Sequence, residues 1–166
     1  MKTIAGIFDN EMGADRGVSE LLDVGFVKDD ISILMTEHTR KSLFSSTDDE
    51  ANRTAKGAIT GASIGAALGA LLVGLTAAGA LVTTGGALLV SGPIVAVLSG
   101  AGAGGVAGGL AGGLIRAGFA ADEANRYEEE LKRGKAIIVV HVSDENKVVL
   151  ARQTLRNSGA IETKAA

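Results

Sequence analysis

The chain has no cysteine, no tryptophan, a single proline and only 3% aromatic residues. Without cysteine there are no disulfides, thiolate metal sites or cysteine nucleophiles, a composition that suits a reducing compartment. With only two histidines, little is left for imidazole metal sites or acid–base pairs. Basic runs are missing too: the longest are the pairs Arg40-Lys41 and Lys132-Arg133, and the net charge is −3. Duplex nucleic acid is held by a basic face that displaces counterions, so no nucleic-acid partner is expected. The largest gap of all is in charge: no Asp, Glu, Lys or Arg occurs between Gly57 and Ile115.

What fills the chain is apolar and small. Hydrophobic residues make up 46%, and 24 of the 166 residues are glycine, about twice the usual share of roughly 7%. An elastic, disordered Gly/Ala tract would be poor in Leu, Ile and Val. This tract is rich in them, so ordered packing is the better reading. The opening residues, Met1–Asn10, hold an apolar run too short for a signal-peptide core and broken by Asp9. The polar ends are therefore expected in the cytoplasm.

Three parts follow one another. Residues 1–37 read as strand, helix, strand: Thr3–Phe8 as a strand, then Asp9 or Asn10 as a helix cap. Ala14, Val18, Leu21 and Leu22 fall at helical spacing and Gly25 is a left-handed stop. Ile31, Ile33 and Met35 alternate as in a half-buried strand. Residues 134–166 repeat the pattern. Ala136–Val142 contains the β-branched run Ile137-Ile138-Val139-Val140, Ser143 is a candidate cap, Val148, Ala151 and Leu155 share a helix face, Gly159 stops it, and Ala160–Thr163 can close as a short strand. Two such halves predict an α+β fold, the ferredoxin-like split βαβ frame, with both helices on one face of four antiparallel strands. Residues 38–133 form an insertion, with a polar stretch at Ser42–Asp49, the apolar tract 57–115, and a polar helix over Ala120–Arg133 that pairs Tyr127 with Leu131.

The tract is organised by glycine. Gly57, Gly61, Gly65 and Gly69 recur every fourth residue, as do Gly100, Gly104, Gly108 and Gly112, with a third row at Gly105, Gly109 and Gly113. At helical pitch each row lies along one face and forms a groove for a second helix. Such small-xxx-small packing is a membrane-helix device. In water it is weak: each helical Gly costs about 0.8–1.0 kcal/mol against Ala. Were the whole tract helical, the penalty would be roughly 15 kcal/mol, beyond the typical stability of a domain. Lipid, or tight burial in a multi-chain assembly, must then enforce helicity. Ile59–Val82 and Ile94–Ile115 are each long enough to span a bilayer. Thr83–Gly86 and Ser91-Gly92-Pro93 mark the turn, and Arg53, Lys56 and Arg116 flank the pair on one side, the cytoplasmic side by the positive-inside rule. The expectation is a glycine-zipper helical hairpin in an inner membrane with a cytoplasmic α/β frame, its partners being itself and the lipid bilayer. The alternative is a soluble cytoplasmic scaffold, with the same helices buried between subunits.

Catalytic signals are thin. Gly100–Gly105 matches G-x-G-x-x-G, but a dinucleotide site needs a preceding strand and a later acid, so the match reads as zipper. His38 sits in a polar loop with no metal-ligand spacing around it, and His141, at a strand end, reads as a strand surface residue. Glu128-Glu129-Glu130 spreads around a helix as a solvated face, and no Ser-His-Asp arrangement stands out. No catalytic, cofactor or metal residue is assigned, and no enzyme is expected. A ligand-sensing role for the frame would rest on fold alone.

Ile7-Phe8-Asp9-Asn10, Gly25-Phe26 with Asp30-Ile31-Ser32, the glycine rows, and Tyr127-Glu128-Glu129 with Leu131 and Gly134 together resemble the bacterial general-stress, low-temperature-induced protein family. The resemblance covers nearly the whole chain in order. It implies a stress-associated, non-enzymatic protein with a zipper set into an α/β frame, and it brings no catalytic residues.

Overall fold

Each end of the chain folds as strand, helix, strand. The computed structural model describes residues 2–39, 80–83, 86–99 and 109–165. At the N-terminal end, β1 (Lys2–Phe8) leads to α1 (Glu11–Asp23), a 3-10 turn (Lys28–Asp30) and β2 (Ile31–Thr36). At the C-terminal end, β5 (Ala136–Val142) leads to α5 (Glu145–Asn157) and β6 (Glu162–Ala165). Between them lie β3 (Ala80–Thr83), β4 (Gly86–Ser91), α2 (Ile94–Ser99), α3 (Gly109–Arg116) and α4 (Ala121–Lys132). The fold is mixed α+β.

Local chemistry sets these ends. The Asn10 side chain accepts from the Gly13 N–H at 2.7 Å, satisfying one of the orphan donors of α1. At the other end Phe26 N–H returns to Leu21 C=O and Gly25 N–H to Leu22 C=O. This double closure needs the left-handed backbone that Gly25 adopts at φ +93°, and it tucks Phe26 into the same apolar cluster as Leu21. The cap of α5 is Asp144, not Ser143: its carboxylate accepts from Asn146 N–H at 2.9 Å. An ionised carboxylate is the stronger acceptor for first-turn N–H groups. The last strand begins two residues later than its expected start at Ala160, because Ala160 N–H is still bonded back to Leu155 C=O at the helix end.

The sheet has six strands among the described residues, in the order β3-β4-β2-β5-β1-β6, every neighbouring pair antiparallel. The β-branched strand β5 lies between β2 and β1, buried on both sides. Ile4, Phe8, Ile31, Ile33, Met35, Ile138 and Val140 face α1 and α5, where Ala14, Val18, Leu21, Ala151 and Leu155 complete one core.

The opposite face is not open. Ala5, Ile7, Leu34, Ile137 and Val139 carry a second core, built with Ile94, Leu98, Leu110, Ala111, Leu114, Tyr127 and Leu131 from α2, α3 and α4. The half-buried pattern expected for Ile31–Met35 is therefore corrected: Ser32 and Leu34 are as fully buried as Ile31 and Ile33. α1 and α5 lie on one face, and the helices of the inserted part, α2, α3 and α4, cover the other.

The inserted part also departs from a helical hairpin. Ala80–Val82, at the end of the first expected span, is strand, and with β4 it extends the sheet beyond β2. Thr83 stands opposite Gly86. In the second expected span, Ile94–Ile115, the described residues form two helices, α2 and α3, that pack against each other. Among the described residues no helix is long and apolar enough to cross a membrane. The apolar side chains Ile94, Leu98, Leu110 and Leu114 are within 8% of full burial against the chain's own sheet. The remainder of the first span lies outside the described residues.

Candidate helix-packing site

The inserted part returns to the sheet through Ser91-Gly92-Pro93. Ser91 ends β4 opposite Ile33, and its hydroxyl accepts from the Ile33 N–H at 3.0 Å. Gly92 then takes φ +79°. A Cβ built there would lie 2.2 Å from Ile31 C=O and 2.8 Å from Ser32 Cα, so the backbone crosses the end of β2 where only glycine fits. Pro93 disfavours helix before it, and α2 starts at Ile94. Its first free N–H finds a side chain from another element: Ile94 N–H donates to the Ser32 hydroxyl at 3.2 Å.

Ser32 is wholly buried and holds a second partner, His141 Nε2, at 3.1 Å. The backbone N–H of Ile94 can only donate, so Ser32 Oγ accepts from it and its own hydrogen is free for His141 Nε2. That requires the neutral imidazole. Burial pushes the His141 imidazole below its ordinary value, with Asp30 pulling the other way. His141 is thus no plain strand-surface residue; it fixes the hydroxyl that caps α2.

Beyond α2 the contact turns on glycine. Leu98 of α2 lies against Gly113 of α3 so closely that a Cβ at Gly113 would sit 2.2 Å from Leu98 Cδ2. The glycine is a notch that receives a leucine of the same chain. Gly112, one residue earlier and in the neighbouring row, has no atom of the described residues within 4 Å of an added Cβ. Beside it on the outer side, Ile115 is 45% exposed. Gly109 begins α3. Gly57, Gly61, Gly65, Gly69, Gly100, Gly104, Gly105 and Gly108 lie outside the described residues, and so does the full G-x-G-x-x-G match.

Helix α4 clamps α3. The Glu128 carboxylate accepts from the Ala111 N–H, in the first turn of α3, at 2.9 Å, and is held in turn by Lys132 Nζ at 2.7 Å. The Phe119 and Tyr127 rings meet edge to face, 5.4 Å apart at 88°. Glu130 is buried, against the solvated face expected for the three glutamates; only Glu129 is exposed. Arg133 Nη1 donates to Glu130 Oε1 at 2.8 Å and Lys135 pairs with Oε2. These cations hold both carboxyls below the ordinary glutamate value: for Glu130, Lys135 above all; for Glu128, Lys132. Sequence spacing placed the three acids around a helix correctly. It missed that α4 lies on a second sheet face, which turns two of them inward.

Chemically the arrangement is one of caps, notches and ion pairs. His38 is exposed and His141 half-buried on the sheet, and the described residues contain no group of three His, Asp or Glu side chains that could hold a metal. No protein-family model, curated protein or solved structure matches the chain.

Proposed function

We propose that this is a non-enzymatic scaffold that self-associates through glycine-lined helix faces, its stress-associated role being what the family resemblance implies. The observation that carries the reading is the divergence of two adjacent glycines on α3. Gly113 receives Leu98 of the same chain, whereas Gly112, half-buried, meets no atom of the described residues and lies beside the exposed Ile115. One row is used within the chain and the next is left for a helix from another copy. Protein, and not lipid, as the surroundings is supported by the burial of Ile94, Leu98, Leu110 and Leu114 on the sheet. The frame reads as ferredoxin-like: β2-β5-β1-β6 follows that strand order, and α1 and α5 share one face. On this reading the frame is a platform and the insertion supplies the contact surface.

A second reading, membrane association of the same assembly, keeps one specific support: the uncharged tract Gly57–Ile115 flanked by Arg53, Lys56 and Arg116. Two measurements separate the readings. Purification without detergent should give a particle of several chains by light scattering; a strict monomer at all concentrations would overturn self-association. Alkaline carbonate extraction of cells should release the protein into the supernatant; full retention in the membrane pellet would favour the second reading over the first.

A further inference from the structure

We propose that Ser32, His141 and Ile94 form a proton-sensitive latch that ties the start of α2 to the sheet and lets go on acidification. The three residues belong to β2, β5 and α2. Ser32 is 109 residues from His141 and 62 from Ile94 in sequence, so the contact exists only when the inserted part is seated on the frame.

The latch works through one hydroxyl with two clients. With the imidazole neutral and its hydrogen on Nδ1, the Ser32 O–H donates to His141 Nε2 while Oγ accepts from Ile94 N–H. All three polar groups are satisfied in a site without water access at Ser32. A proton on Nε2 reverses that bond. The imidazolium must then donate to Oγ, and the hydroxyl hydrogen loses its acceptor; among the described residues Ser32 Oγ has no further partner. The Gly92 backbone occupies the adjoining space against Ile31 and Ser32, so the serine cannot swing away without moving the Ser91–Ile94 crossing.

Helix α4, which packs on β2 and β5, carries Asp122, Glu123, Arg126, Glu128, Glu129, Glu130 and Lys132; the charge that acts on the imidazole is Asp30. Asp30, at the end of the 3-10 turn, acts on the imidazole and favours its protonation against the effect of burial. β4 and α2, which pack over this end of the sheet, contain no ionisable residue. On β1, Thr3 stands opposite His141. Lys2 alternates to the other face, where it pairs with Glu145 of α5. Asp29 and Lys28 lie on the same 3-10 turn as Asp30 and are exposed. The sign follows from the lowered imidazole value. The contribution of the latch is complete above the unfolded value of about 6.5 and is lost as pH falls from there through the folded value.

The test reads the latch itself, so it can fail while self-association stands, and the reverse. In the full chain, hydrogen-exchange protection of the Ile94 amide, corrected for the intrinsic rate, is compared between pH 7.5 and 5.0. His141 is followed by its own ring proton signal, which has only that of His38 beside it. Protection should fall roughly tenfold, the scale of one lost buried hydrogen-bond partner, with a midpoint matching the titration of His141. Protection that stays flat while His141 titrates would overturn the proposal, and so would a midpoint that belongs to His38. The substitution His141→Gln leaves an acceptor that does not titrate, so protection should become independent of pH. An unchanged pH dependence in that variant would also overturn the latch. Ser32→Ala should lower Ile94 protection equally at both pH values. If that variant does not fold, the wild-type titration and His141→Gln still decide.

Discussion

Replacing Gly92 by Ala probes the point where the inserted part crosses the end of β2. Two independent penalties act there. At φ +79° an L-residue sits in the left-handed region, which costs about 1 kcal/mol or somewhat more. Its methyl group would also be 2.2 Å from Ile31 C=O and 2.8 Å from Ser32 Cα. Both are backbone atoms of a strand paired on each side, so relief requires moving the crossing and stretching the Ser32–Ile94 bond. Overpacking of this kind costs about 1–3 kcal/mol. Together about 3 kcal/mol is expected, which for a chain of 166 residues lowers Tm by about 6–12 °C. Thermal unfolding followed by circular dichroism reads the shift, and urea titration gives the free energy. Gly25→Ala is the control, because its φ of +93° is equally left-handed but no atom lies within 4 Å of the added Cβ. It should cost only about 1 kcal/mol. Equal losses for the two variants would refute the steric half of the reasoning. A Gly92→Ala protein within about 0.5 kcal/mol of wild type, inside the range of a neutral substitution, would refute all of it.

Two further outcomes follow from the second face of the sheet. Gly113→Leu should destabilise the α2–α3 contact by about 2–3 kcal/mol, and the pair Gly113→Ala with Leu98→Ala should cost less than the sum of its parts, as a double-mutant cycle in urea would show; simple additivity would mean the two residues do not meet. Glu130→Ala leaves Lys135 and Arg133 without their buried partner and should cost about 2 kcal/mol, less than the roughly 3–5 kcal/mol of a fully buried pair because both cations reach solvent. The lowered folded-state values of Glu130 and Glu128 mean that their contribution is complete above the ordinary glutamate value and is lost as pH falls through the folded one. Wild-type stability should therefore drop more steeply below pH 4.5 than that of a Glu128→Gln, Glu130→Gln variant, measured by the urea midpoint against pH.

The elements at the two ends were legible because their signals are local. Asn10, Gly25 and Gly159 mark helix ends by side-chain capping and left-handed backbone, and the run Ile137–Val140 reads as a buried strand from β-branching alone. The middle was not legible for a physical reason. Uncharged small and branched residues such as Ala80-Leu81-Val82 and Leu88-Leu89-Val90 satisfy a lipid-facing helix and a buried strand equally well. What separates them is the open edge of β2, a tertiary fact that no window of sequence contains. The same limit applied to the site. The spacing of Gly109, Gly112 and Gly113 shows that two rows exist, but which row meets Leu98 depends on how α3 rolls against α2. Ser32 and His141 gave no signal at all, since their partnership joins strands far apart in sequence across a residue, Gly92, that reads as an ordinary turn.

Self-association through the outward glycine row is tested most directly by the mass of Gly112→Leu. No atom of the described residues lies within 4 Å of a Cβ added at Gly112, so the fold of those residues and its circular dichroism should be unchanged. Light scattering of the detergent-free protein should then show smaller particles than wild type at equal concentration, because leucine fills the groove a second helix would occupy. A particle of wild-type mass carrying Leu at position 112 would contradict the account.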